Sequence, residues 1–448
     1  MVSHHPPRLI ADDVLVIADD LAGAAEAAAA LAVGVPSRLQ FVPRVGTPPI
    51  AAPQEAARPD LVPPASARPE TEPPEPGVHG AVPPGTVLVV DTDSRYLPGS
   101  AARSVVRAAL ATRPHARLIM KKVDSLLRGR IADELAELRA TGLPIVAAFA
   151  LPAMRRTVVG GVVHLDGIPL HRTDAWGAEH SEPPESIPVA LHGIPTVVLP
   201  LPTVRGPALG AQLRAVLDDG AVPLCDAETQ DDLRRIADAA IALSAPSRAI
   251  GLVGTGDLAR AVGQRITGAQ VRPHRRDGQR SPVLVVAGTL ASGITDQIAA
   301  LHDAGAVALA VRAPDLAGAD TLAALGGRVA AALAAAELVV VHLDRASDWH
   351  RDAVAALAAA LVAGTDLSRV DLVLTGGETA RRVLDALGVV SLDPHGELAH
   401  GVVLSHRAAD ARVVTRPGSF GDAHSLVDIV AYLRPDLIER PPNERITA

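Results

Sequence analysis

Short apolar runs alternate with alanine-rich stretches from one end of this chain to the other, and that rhythm restricts the fold more than any other feature. Residues 14–17, 87–90, 118–120 and 145–147 form one set of such runs, and 283–286, 307–311, 338–341 and 372–374 form a second. A run that is apolar at every position is a strand buried on both faces, which happens where crossover helices cover both sides of a parallel sheet. With 48% apolar residues but only 2% aromatic ones, the core has to be built from Ala, Val, Leu and Ile. At 448 residues the chain also exceeds what one core usually organises. The sequence therefore predicts an α/β protein of two domains, each a mainly parallel sheet flanked by helices.

The best break between the two sets is the polar, basic stretch 267–281, with Arg272, His274, Arg275 and Arg276. It divides the chain into residues 1–266 and 282–448. Within the first part, prolines recur so often across 43–84 that neither a helix nor an internal strand could persist, and this stretch reads as a surface excursion.

A formal net charge of −8 supplies no basic face for a phosphate backbone, so a nucleic-acid partner is not expected. The single cysteine, Cys225, excludes an intrachain disulfide framework and any multi-cysteine metal site, and reads as a buried or spectator thiol. The opening Met1 to Pro7 lacks a cationic region followed by an apolar run, and no later stretch approaches the ~20 apolar residues of a membrane span. A cytoplasmic protein without a membrane partner is the expectation. No metal-ligand set is legible, and a homo-oligomer is left open.

In open parallel sheets ligands bind beyond the carboxyl ends of the strands, so the polar residues just after each run are the candidates. Asp19 and Asp20 follow the first run and could accept a proton, hold a metal or bind sugar hydroxyls, or simply cap the next helix. Asp91, at the end of the second run, opens a polar cluster expected on a pocket rim. In Lys122-Val123-Asp124-Ser125, the apolar spacing of Leu127, Ile131, Leu135 and Leu138 predicts a helix capped by Asp124 or Ser125, with Arg128 in its first turns. Two cations around a helix start suggest a gripped anion, with a solvated basic turn as the competing reading. Arg156 and Thr157 follow the fourth run, ahead of a hairpin around Asp166-Gly167.

The second half carries three glycine turns between strand and helix: Gly288-Thr289 with Ser292, Gly376-Gly377-Glu378-Thr379, and Gly418-Ser419 with Gly421. Each would let backbone N–H groups approach phosphate oxygens, and three in one domain point to a nucleotide more firmly than one. None has the Gly-Lys-Ser/Thr of a Walker loop.

In this order the segments resemble the four-carbon acid sugar kinase family over nearly the whole chain. The resemblance rests on Ala18-Asp19-Asp20-Leu21 with Gly23, Lys122 with Asp124-Ser125 and Arg128-Gly129, and Arg156-Thr157 with Gly160-Gly161. Thr375-Gly376-Gly377-Glu378-Thr379-Ala380 and Pro417-Gly418-Ser419-Phe420-Gly421 complete it. It implies a sugar-acid-binding first domain, a nucleotide-binding second domain, and transfer of phosphate from ATP with Mg²⁺ to a hydroxyl of threonate, erythronate or 3-oxo-tetronate. Asp20 would orient or deprotonate that hydroxyl, while Lys122 and Arg128 with Arg156 grip the acid. The chain departs from the family at Ala22, usually Thr, at Glu26, usually Asp, and at Arg416, usually Lys. The first two changes fall on the sugar side, so the resemblance carries nucleotide use further than it carries one named acid. A non-catalytic sugar-acid sensor of the same fold and a kinase for a different small polyol acid are the competing readings.

Overall fold

The computed structural model describes residues 9–31, 35–43, 82–177, 179, 181–245, 248–267, 280–291, 293–347, 349, 352–407, 411–418 and 420–438. Most of the expected proline-rich excursion and of the expected linker lie outside the described residues, as do Ser292 and Ser419.

All eight apolar runs are strands, and seven further segments join them in one sheet of fifteen. In chain order they are β1 (Val14–Ala18), β2 (Ser37–Phe41), β3 (Val87–Asp91), β4 (Leu118–Lys122), β5 (Ile145–Ala148), β6 (Thr196–Leu199), β7 (Val222–Cys225) and β8 (Ile250–Gly254) in the first half. The second half supplies β9 (Val283–Ala287), β10 (Val307–Val311), β11 (Leu338–Leu343), β12 (Asp371–Thr375), β13 (Ser391–Ala399), β14 (Val402–His406) and β15 (Arg412–Arg416). Across the sheet they run β6-β7-β5-β8-β4-β1-β3-β2-β13-β14-β15-β12-β9-β11-β10. The eight strands of the first half are mutually parallel, and so are β10, β11, β9, β12 and β15. The β13–β14 hairpin is the antiparallel insert that joins the halves, with Ser391 opposite Gln40 and Leu392 opposite Leu39.

The core follows from the strand pattern. Every residue of β1, β3, β9 and β12 is buried, as strands covered on both faces must be. Side chains of β9 and β12 alternate between faces. Leu284, Val286, Leu372 and Leu374 belong to an apolar cluster continuous with the first domain's core, while Val283, Val285 and Val373 meet helices α4 (Ile294–Asp303) and α6 (Ser425–Leu433) on the other side. Helix α1 (Leu21–Leu31) is buried along its whole length. Its alanines let α3 (Gly256–Gly263) come close: a Cβ on Gly263 would stand 2.7 Å from the Ala30 carbonyl oxygen. Small side chains thus substitute close helix contact for aromatic bulk, and they fix how the end of β1 sits relative to the strands beside it.

Candidate active site

In register, Ala18 lies opposite Asp91 and Lys122, and Lys122 opposite Gly254, so the first domain's candidate residues emerge along one edge of the sheet. Ala287, Thr375 and Arg416 are likewise level on the second domain's strands. The two edges meet at the N-terminus of α5 (Gly377–Ala386). A Cβ on Gly377 would stand 2.9 Å from Asp20 Oδ2 and 3.4 Å from Ala22 Cβ, so the start of α5 abuts the start of α1.

Asp20 both caps α1 and meets Arg95. Its Oδ1 accepts the Gly23 N–H at 2.9 Å, as a helix cap does, while Oδ2 accepts from Arg95 Nη1 at 2.9 Å. Arg95 also grips Asp19 from Nε to Oδ2 at 2.7 Å and from Nη2 to Oδ1 at 3.2 Å, and it approaches Asp124 at 3.9 Å. Burial opposes ionisation of Asp19, but the charges of Arg95 and Lys121 outweigh it and hold the carboxyl below its ordinary value. Burial likewise opposes the charge on Arg95, and Asp19, Asp20 and Asp124 together keep it firmly protonated. Arg95 is the electrostatic hub, and the sequence reading had put only its cluster on the rim.

Asp124 does not cap a helix. The helix that follows, α2 (Ile131–Ala140), starts later, and the intervening residues make a turn with Leu127 at φ 62° and Gly129 at φ 97°. The turn folds Arg128 back onto Asp124, with Nε to Oδ2 and Nη2 to Oδ1 both at 2.8 Å, and Oδ2 also accepts the Leu126 and Arg128 backbone N–H groups at 3.2 Å. Burial disfavours the Asp124 carboxylate, but Arg128, Arg95 and Lys122 hold it well below the usual range. A Cβ on Gly129 would stand 3.3 Å from Asp19 Oδ2, a tight contact, and the left-handed backbone at this position is what calls for glycine. Ser125 accepts from Arg156 Nη1, which brings the third expected cation to the same turn. Thr157 is half-buried on the adjoining small sheet opposite His164, and the turn at Asp166-Gly167 forms as expected. The segment after Thr173 closes over the basic turn: Trp176 Nε1 donates to the Leu126 carbonyl at 2.7 Å, and Glu179 stands 3.8 Å from Arg128.

Lys122 is buried, 3.1 Å from Glu26 Oε2 and donating to the Val123 carbonyl at 3.2 Å. Burial works against its charge, and Glu26, Asp20 and Asp19 more than restore it.

Asp91 is elsewhere than expected. It is fully buried under the domain boundary and paired with Arg381 of α5 at 2.8 Å, which makes it an interdomain tie and removes it from the pocket rim. Burial pushes the Asp91 carboxyl up to about 6, although Arg381 pulls it back.

On the second domain, the side chain of Thr379 fills the space beside Gly288, and a Cβ on Gly376 would stand 3.6 Å from Thr289 Cβ. A Cβ on Gly418 would meet Thr289 Oγ1 at 2.5 Å. Gly288, Gly376 and Gly418 therefore pack closely around the Thr289 and Thr379 side chains, which already fill the space a Cβ would take at Gly288 and Gly418, next to the Gly377 contact with Asp20. Glycine turns of this kind at strand ends can present backbone N–H groups to phosphate oxygens. Gly421, at φ 91°, packs on Ser425 behind it, and Glu378 is exposed, 3.4 Å from Arg382. Among the described residues no group of three His, Cys, Asp or Glu side chains forms a metal site. Asp19 and Asp20 are already bonded to Arg95.

Residues 14–262 match the family of the sugar-binding N-terminal domain, and residues 284–426 match that of the nucleotide-binding C-terminal domain. Among curated relatives, a D-threonate kinase of Cupriavidus necator is 33% identical over 363 residues, covering 76% of this chain and 86% of the relative. A D-threonate kinase of Salmonella typhimurium is 30% identical, covering 78% and 88%. A D-erythronate kinase of Heliobacterium modesticaldum is 33% identical over 49% of this chain and 51% of its own. A solved Salmonella typhimurium structure shares the fold at a TM-score of 0.69 and 19% identity, covering 93% of this chain and 98% of the other.

Proposed function

The chain belongs to the four-carbon acid sugar kinase family, and from that premise and its cleft we propose that it moves the γ-phosphate of ATP onto a hydroxyl of a four-carbon sugar acid such as threonate or erythronate. The observation that carries this reading is the abutment of Asp20 on Gly377, which sets an acceptor-side carboxylate against the phosphate-side glycine turn. The division between the domains falls at 267–281.

In this mechanism Lys122 and Arg128, with Arg156, receive the acid's carboxylate and hydroxyls. Burial opposes the charges of Lys122 and Arg128, but their carboxylate partners more than restore them, so binding at these two needs exchange of partners and no protonation change. Asp20, fixed by Gly23 and Arg95, orients the attacking hydroxyl and accepts its proton as the new P–O bond forms. ATP with Mg²⁺ supplies the phosphoryl group and neutralises part of its charge, and positioning does most of the remaining work. Backbone N–H groups at Gly288 and Gly377 hold the phosphates, the Gly376 N–H being donated to the Arg416 carbonyl at 2.9 Å, and the α5 N-terminus favours their negative charge. The contact of α1 with α5 excludes water, the competing acceptor. A cytosolic location, where ATP is supplied, goes with this reading.

Coupled detection of ADP release across D-threonate, D-erythronate and five- and six-carbon acids tests the proposal. Turnover greatest with a four-carbon acid is expected. Preference for a longer acid would reassign the substrate, and ligand binding without ADP release would make the protein a sensor.

A further inference from the structure

The β13–β14 hairpin turns at His400, and its tip leaves the second domain to touch both ligand sides. His400 Nε2 lies 3.6 Å from Glu26 Oε1, the glutamate whose other oxygen is 3.1 Å from Lys122 Nζ. Both facing atoms are buried and without a hydrogen-bond partner. The gap is slightly longer than a hydrogen bond, so a small approach of the hairpin would satisfy two buried polar atoms at once. On its other side the His400 ring stacks on Phe420, with centroids 6.0 Å apart and planes at 17°. Phe420 belongs to the last glycine turn, its carbonyl held by Arg416, which also donates to Gln297 Oε1 at 2.8 Å. The tip is steadied by Glu397, which pairs with Arg260 of α3 at 2.5 Å and accepts the Gly401 N–H at 2.8 Å.

We propose that His400 is a positioning residue that couples the two ligand sites, acting through Glu26 on Lys122 and through Phe420 on the last glycine turn. The inference rests on the kinase reading for what Lys122 binds. When a sugar-acid carboxylate takes part of the Lys122 charge, Glu26 loses part of its partner. His400 is the only group among the described residues facing the free Glu26 oxygen with an unmet nitrogen. Its move toward Glu26 carries the stacked Phe420 with it and tightens the glycine turn. Glu26 is one atom longer than the aspartate usual in the family, a length that spans from α1 to both Lys122 and His400.

The test is a double-mutant cycle with Glu26→Gln, His400→Ala and the double variant, read as KM for the sugar acid, kcat, and ATP affinity by calorimetry with and without the acid. His400→Ala should raise the acid's KM about tenfold with kcat changed less than about threefold, and the double variant should be no worse than Glu26→Gln alone. His400→Gln, which keeps a nitrogen donor, should recover part of the loss. Additive penalties, an unchanged KM, or no recovery with glutamine would overturn the inference. If the wild-type protein turns over no acid, the kinase reading fails separately, and the ATP titration decides this one. An ATP affinity that falls in His400→Ala only when Glu26 is intact supports it, and an unchanged or additive response overturns it.

Discussion

Replacing Arg381 with methionine should destabilise the protein through the charge it leaves behind more than through the contacts it removes. The Arg381 side chain is 2% exposed and Asp91 is 0% exposed. Arg381 also bonds Asp385 at 2.8 Å and the Val42 carbonyl at 2.5 Å, and its guanidinium lies 5.1 Å from the Phe41 ring centroid. Removing one partner of a buried pair costs about 3–5 kcal/mol, because the other charge stays buried and uncompensated. Burial has already raised Asp91 to about 6. A carboxyl with a raised folded value contributes stability that is complete below its unfolded value near 3.9 and is lost as pH rises through about 6. The deficit of Arg381→Met should therefore be larger at pH 8 than at pH 5, and Arg381→Met with Asp91→Asn should recover most of it. Urea unfolding followed by the two tryptophans, Trp176 in the first domain and Trp349 in the second, measures this. A deficit below about 1 kcal/mol, or one equal at both pH values, would refute the reasoning.

Asp20→Asn should lower kcat by roughly 10²-fold or more while calorimetry finds ATP binding nearly unchanged. Arg128→Gln should raise the sugar acid's KM by roughly 10- to 100-fold, the worth of one charge-assisted contact, with little change in the KM for ATP. Gly377→Ala should cut turnover by driving Asp20 and α5 apart, since its Cβ would stand 2.9 Å from Asp20 Oδ2. Gly142→Ala, at φ 79° with nothing within 4 Å, should cost about 1 kcal/mol of stability and leave turnover intact. Burial pushes the Cys225 thiol well up, so iodoacetamide at neutral pH should label it only after unfolding, as mass spectrometry can read.

What the sequence made legible follows from where each residue's partners lie. Seven of the eight strands it revealed are buried along most of their length, which makes a continuous apolar run, while the eighth, β10, is the largely exposed edge of the sheet and is apolar without that cover. Those it missed include β2, where Arg38 and Gln40 alternate with buried positions, and the polar β13–β14 hairpin. These strands join the two halves, so the single sheet was not visible. Asp20, Lys122 and Gly377 were legible because each stands at or just beyond the end of a strand. Arg95 and Arg381 were not, because their roles are set by residues 75 and 290 positions away. The turn at Asp124 was misread as a helix cap because nothing local announces Leu127 in a left-handed conformation. Packing of Asp19, Arg95 and Arg128 around it imposes that shape.

A crystal structure with a non-hydrolysable ATP analogue and a four-carbon acid would test the central claim most directly. The phosphates should lie on the Gly288 and Gly377 backbone, with the acid between Asp20 and Arg128 and its hydroxyl about 3–3.5 Å from the γ-phosphorus. Nucleotide bound away from that backbone, or an acid out of reach of Asp20, would contradict it.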